Sequence, residues 1–192
     1  MRFTLVFSAV ALASLTSCSD PIPQTPDGAF YLALVSPGGQ CMINGHTAQV
    51  GGIDAANRNT VVTDGTSAVD GGPVTHVTCS VTGTTTFNVH GKIDDIDNSG
   101  NSLEMIIGGI AAGATEANPA KGSAVFTAPW TAGNGYSGPC NFWFSPMTKE
   151  AVDVTGGVGR AWVSFSCAAL SSGMSTCPLK TGFAIFENCL TQ

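Results

Sequence analysis

Short β-branched, aromatic or apolar runs separated by turn residues recur along this chain, and apolar and polar residues alternate with a period of two where one face is buried. The clearest case is Val158 to Cys167, with Ala161, Val163, Phe165 and Cys167 on one side and Trp162, Ser164 and Ser166 on the other. That alternation marks a half-buried strand. Ala29 to Ser36, Val74 to Thr82, Thr84 to Ile93 and Ser102 to Gly108 are short β-branched, aromatic or apolar runs of the same kind. Gly83 and the Asp94 to Asn101 stretch separate the last three and predict consecutive antiparallel strands. Asn44-Gly45 and Asn134-Gly135 are hairpin signals, because Asn-Gly readily takes the positive φ angles of a tight turn. Ala124 to Thr131 and Ser137 to Ser145 flank the second of these, and Gly182 to Cys189 closes the series. Gly51 to Gly72 is polar and reads as a long excursion, while Gly109 and Gly113 argue against a helix over Gly108 to Ala120. Many short strands with frequent turns and no amphipathic helix predict an all-β, two-sheet antiparallel sandwich of jelly-roll or immunoglobulin-like type. A β-barrel is the alternative.

The N-terminus follows a different pattern. Arg2 is followed by an apolar run from Phe3 to Leu15 and then by small residues, the layout of an export signal. The run is shorter than the roughly 20 apolar residues needed to span a bilayer. It ends in Leu15-Thr16-Ser17-Cys18, which resembles the lipobox of bacterial lipoproteins. The resemblance implies cleavage before Cys18, acylation of that cysteine, and attachment to a bilayer through its acyl chains. In such proteins Asp directly after the Cys favours retention at the inner membrane. Ser19 stands there, so the outer membrane is favoured. Ala11-Leu12-Ala13 offers an ordinary cleavage site instead, but its use would leave Cys18 as an unpaired thiol on a tail.

Residues 1–17 are therefore read as the signal and 18–28 as the lipidated cysteine and a tether. Residues 29–192 form one domain. Pro21, Pro23 and Pro26 stiffen the tether, and ten extended residues reach about 30 Å. Removal of Arg2 with the signal leaves Arg58, Lys92, Lys121, Lys149, Arg160 and Lys180 against 13 acidic residues, a net charge of about −7. The six cations are scattered. A nucleic-acid partner, which requires a basic patch, is not expected.

Seven cysteines are present, and setting Cys18 aside leaves Cys41, Cys79, Cys140, Cys167, Cys177 and Cys189. In an exported chain these predict disulfides. Folding Ser137 to Ser145 back on Val158 to Cys167 brings Cys140 to Cys167. Cys41 would then pair with Cys79, and Cys177 with Cys189. No Cys-x-x-Cys or Cys-x-x-His spacing supports zinc.

Asp95-Ile96-Asp97-Asn98-Ser99-Gly100-Asn101 places oxygen ligands at Asp95, Asp97, Ser99 and Asn101, with glycine in the sixth position. It resembles the first half of an EF-hand loop, which implies calcium, the one cofactor suggested. Ile106 stands where that motif has Glu, and the same residue types also suit a plain hairpin loop. His46, His76 and His90 lack metal-ligand spacing, and no Gly-x-Ser-x-Gly elbow or phosphate loop occurs. No catalytic motif is found, and the chain is not expected to be an enzyme. Trp162, Trp130 and Tyr136 are candidate stacking platforms for a glycan. The expected function is that of an envelope lipoprotein with a non-catalytic binding or structural domain, the partner being a glycan or a protein. A carbohydrate- or other ligand-binding module, with or without calcium, is the alternative, and a secreted hydrolase with a non-local site is the third reading.

Overall fold

The computed structural model describes residues 25–35, 41, 45–51, 75–95, 99–131, 135–145, 150–173 and 175–191. Ten strands make up most of them: β1 Asp27–Leu34, β2 Thr47–Val50, β3 His76–Gly83, β4 Thr86–Asp95 and β5 Asn101–Ala111. These are followed by β6 Ala120–Thr127, β7 Tyr136–Trp143, β8 Ala151–Thr155, β9 Val158–Ser172 and β10 Ser175–Cys189. Among the described residues the only helical element is a single 3-10 turn at Pro129–Thr131. The all-β, antiparallel class read from the alternation is what the chain adopts.

Hydrogen bonds join all the strands into one sheet, ordered β2-β1-β10-β9-β7-β6-β5-β4-β3, with β8 added on β9. The two separate sheets expected from the sequence are thus connected. The cause is the length of β9, whose first residues pair with β8 and whose remainder pairs with β7. A strand of 15 residues carries the ladder across what would otherwise be a gap between sheets. Register shifts between β7 and β9, β9 and β10, and β4 and β5 bend the strands.

The sheet curls until its far edge meets its own C-terminus. Ser80 of β3 forms a parallel bridge to Leu190. Val81 N–H donates to the Leu190 carbonyl at 2.9 Å, and Leu190 N–H donates to the Cys79 carbonyl at 3.0 Å. Inside the curl lies one continuous apolar core that includes Phe30, Phe126, Phe142, Phe165 and Phe186, all fully buried. The predicted inner row Ala161, Val163, Phe165 and Cys167 belongs to it. Opposite walls pack tightly. A Cβ on Gly91 of β4 would lie 2.5 Å from ring carbons of Phe186 on β10, so only a glycine admits that ring.

β2 takes β1 as its partner, Ala33 pairing with Thr47 and Phe30 with Val50. The Met42–Asn44 part of the expected first hairpin lies outside the described residues. The expected pair around Asn134-Gly135 is present as β6 and β7, joined through the 3-10 turn. The strands therefore have two ends. Asp27, the β8–β9 turn and the end of β10 lie at one; the β4–β5 loop, Trp130 and His46 lie at the other.

Candidate functional site

At the end that holds Asp27, β8 and β9 form a hairpin through Gly156 and Gly157, whose φ angles are 63° and 81°. The register of that hairpin sets Asp153 opposite Arg160. Their side chains form an ion pair, Nη2 to Oδ2 2.5 Å. Two residues on, the same face of β9 carries Trp162, and the Arg160 guanidinium lies 5.7 Å from the centre of its ring. Trp162 Nε1 donates to Glu187 Oε1 of β10 at 3.1 Å. The β9–β10 register slips between Phe186 and Cys189, and within that bulge Asn188 has φ 55°. It is the one non-glycine with positive φ among the described residues. Asn188 Nδ2 donates to the Thr25 carbonyl at 3.2 Å and to Asp27 Oδ2 at 3.1 Å, which fixes the start of β1 beside the bulge. Between these groups is an open cleft of about 360 Å³, walled by Asp153, Thr155, Arg160, Glu187 and Asn188 over a floor of Val158 and Gly159. It sets hydrogen-bond donors and acceptors side by side, which suits binding.

The aromatic candidates are dispersed. Trp162 is 3% exposed and packs on the outer face of the sheet with Ala29, Phe183 and Ile185, beneath Arg160. Tyr136 is 5% exposed and belongs to the main core. Trp130 is half-buried on the 3-10 turn at the far end. The exposed ring of His46 stacks on it, centroids 4.5 Å apart, and Phe126 lies behind it at 5.5 Å. The three rings therefore do not form one exposed row.

The Asp95 loop is knitted by its own hydrogen bonds. Asp95 is 3% exposed. Its carboxylate accepts from Thr75 Oγ1 at 2.6 Å and from Ser99 N–H at 3.2 Å, and Gly100 N–H donates to its carbonyl. Ser99 Oγ accepts from both the backbone N–H and Nδ2 of Asn101. These are the contacts of a closed hairpin loop. Asp97 lies outside the described residues, as does Cys18. Among the described residues, no cluster of three or more His, Cys, Asp or Glu side chains is placed to hold a metal ion. The histidines stay apart: His90 Nε2 is 3.0 Å from Glu104 Oε1 on the exposed face, His76 opens β3 opposite Asp94, and His46 covers Trp130.

Six cysteines form three disulfides: Cys41–Cys177, Cys79–Cys189 and Cys140–Cys167. The last is the pair expected from strand folding, and the other two differ from expectation. Cys177 and Cys189 sit near opposite ends of the single strand β10, roughly 40 Å apart at about 3.3 Å per residue, so they cannot meet. Each finds the cysteine that the curled sheet brings to it. Three disulfides are the mark of a chain that matures in an oxidising compartment, outside the reducing cytosol. No helix among the described residues is long and apolar enough to cross a membrane.

Arg160, Asp153, Glu187 and Asn188 belong to no motif, so sequence reading passed over them. One signal was available. Gly156-Gly157 between Ala151–Thr155 and Val158 is a two-residue hairpin turn, and its register alone pairs Asp153 with Arg160. In comparisons with known proteins, no family model matches the chain, and neither a curated protein nor a solved structure is similar to it.

Proposed function

We propose that this chain is a lipid-anchored envelope protein whose β domain binds a partner or serves a structural role without catalysis. In this reading residues 1–17 are removed, Cys18 is acylated, and the Pro-rich tether holds the domain close to the bilayer, the outer membrane being favoured by Ser19. The observation that carries it is the cysteine inventory. The chain has seven cysteines, and six are consumed in pairs among themselves. Cys18 has no cysteine left in the chain to pair with, and acylation accounts for that odd thiol. Two or more acyl chains hold firmly, since each buried CH₂ contributes about 0.8 kcal/mol. For the domain itself, the close packing of Phe186 on Gly91 supports a sandwich-like packing of opposite walls within the one curled sheet. Of the two roles, the cleft beside Arg160 favours binding.

The test is expression of the full chain in a Gram-negative host, with and without Cys18→Ala, followed by acyl-chain labelling and membrane fractionation. The native chain should be labelled and sediment with outer membranes, and the variant should do neither. Native chain that is soluble and unlabelled would refute the anchor.

A further inference from the structure

The geometry points to the Arg160 cleft as a binding site for a small neutral polyhydroxylated ligand, a mono- or disaccharide or the end of a glycan. The inference deepens the binding reading above and rests on it.

Three separate observations meet there. First, the cleft is of ligand size, at the lower end of the usual range of about 300–1,000 Å³. Second, the strand beside it is irregular: the β10 bulge and the left-handed Asn188 turn the Asn188 side chain toward the start of β1, while Glu187 reaches Trp162 on β9, and bulges and strained residues gather at functional sites. Third, the Arg160 side chain is part-exposed in the cleft wall and presents its outer guanidinium N–H groups there, while its Nε is sealed behind them without a hydrogen-bond partner.

The charges select the ligand class. Arg160 is already neutralised by Asp153 and held over Trp162, so an incoming anion would meet a spent cation flanked by the carboxylates of Asp153 and Glu187. A cation would find the Asp153 carboxylate already held by Arg160 and the Glu187 carboxylate already held by Trp162 Nε1. A hydroxyl both donates and accepts, and adjacent hydroxyls can bridge a carboxylate to a guanidinium or an amide. Asp153, Glu187 and the Asn188 Oδ1 supply acceptors, Arg160 supplies donors, and Thr155 supplies either, both Asn188 Nδ2 N–H groups being taken by Thr25 and Asp27. Trp162 is sealed beneath Arg160, so recognition runs through these polar groups and not through ring stacking.

The test uses the full chain, purified in a detergent without a sugar headgroup. Probes are glucose, galactose, mannose, N-acetylglucosamine and their β-linked disaccharides, with sodium acetate and methylammonium as charged controls. Binding is read by saturation-transfer NMR and tryptophan fluorescence. At least one saccharide should bind saturably, and Glu187→Gln should weaken it about tenfold, the effect of one charged hydrogen bond. Thr155→Val, at an exposed position, should weaken it severalfold with an unchanged melting temperature. The site is overturned if no probe sugar saturates at concentrations on the order of 10 mM, if only acetate or methylammonium binds, or if both variants bind as the native chain does. Failure here leaves the Cys18 anchor standing. Appearance of a sugar product in the NMR spectrum would instead support the site and refute the non-catalytic reading.

Discussion

The seam where the curled sheet meets its own C-terminus is held by Cys79–Cys189 and by two backbone hydrogen bonds to Leu190. Replacing both cysteines by alanine should cost more stability than removing Cys140–Cys167, and the difference can be worked from the covalent loops. Cys79 and Cys189 are 110 residues apart, which on its own corresponds to about 4.8 kcal/mol of loop-closure entropy in the unfolded chain. With Cys41–Cys177 intact, however, the shortest covalent path between the two cysteines runs through that bridge and spans about 50 residues, which lowers the figure to about 4.1 kcal/mol. Cys140–Cys167 closes 27 residues, about 3.6 kcal/mol. The seam variant also loosens the two Leu190 hydrogen bonds, each contributing about 1 kcal/mol. The expected penalty is thus about 4 to 6 kcal/mol, exceeding that of the Cys140/Cys167 variant by about 0.5 to 2.5 kcal/mol. The long bridges also share a loop, so removing both should cost about 1 kcal/mol more than the sum of the two single removals. Urea unfolding without reductant, fitted by linear extrapolation, measures all of these. A seam variant no less stable than the Cys140/Cys167 variant would mean that the edge of β3 is not fastened to the end of β10.

Three further perturbations probe the core, the loop and the buried indole. Gly91→Ala should destabilise by about 1–3 kcal/mol through overlap with Phe186, and Phe186→Leu in the same chain should recover part of the loss in a double-mutant cycle. Asp95→Ala should lower stability by about 1–3 kcal/mol by leaving Thr75 and Ser99 without their acceptor. The penalty should be the same in EDTA and in calcium; a native melting temperature that rises with calcium, and does so only while Asp95 is present, would make the loop a cation site. Trp162→Phe should cost about 1–2 kcal/mol from the lost bond to Glu187 and the weakened contact with Arg160. In the native chain, iodide should quench Trp162 poorly; strong quenching of its emission would contradict its burial.

The placement of the cleft bears on how such a protein would work. Asn188 ties the start of β1 to the bulge, so the candidate saccharide site sits at the end where β1 begins, the end that the proposed tether would join. The His46–Trp130 stack marks the opposite end. A ligand bound beside Arg160 would therefore be held near the anchor, while the far end is left for other contacts.

What could be read in the sequence was what depends on near neighbours in the chain. Alternation at Val158 to Cys167 gave the inward row correctly because side chains on a strand repeat every two residues whatever lies across from them. Cys140–Cys167 was legible for the same reason, since adjoining strands meet there. Local pattern is silent on meetings between residues distant in sequence. β8 and the first half of β10 were passed over because Ala151–Thr155 is short and Ser175–Thr181 is broken by Pro178. The partners of Cys41 and Cys79 depended on how far β10 extends and on where the sheet closes. Likewise Trp162 and Tyr136, candidate platforms by residue type, became interior groups, Tyr136 because it faces the main core and Trp162 because it packs with Ala29, Phe183 and Ile185 on the other face. The alternation of side chains thus set the class and the inward faces, and the cysteine count pointed to an oxidising compartment. Only the curl of one long sheet, driven by burial of its apolar face, decided the disulfide map, the closed seam and the cleft that gathers Asp153, Arg160, Glu187 and Asn188.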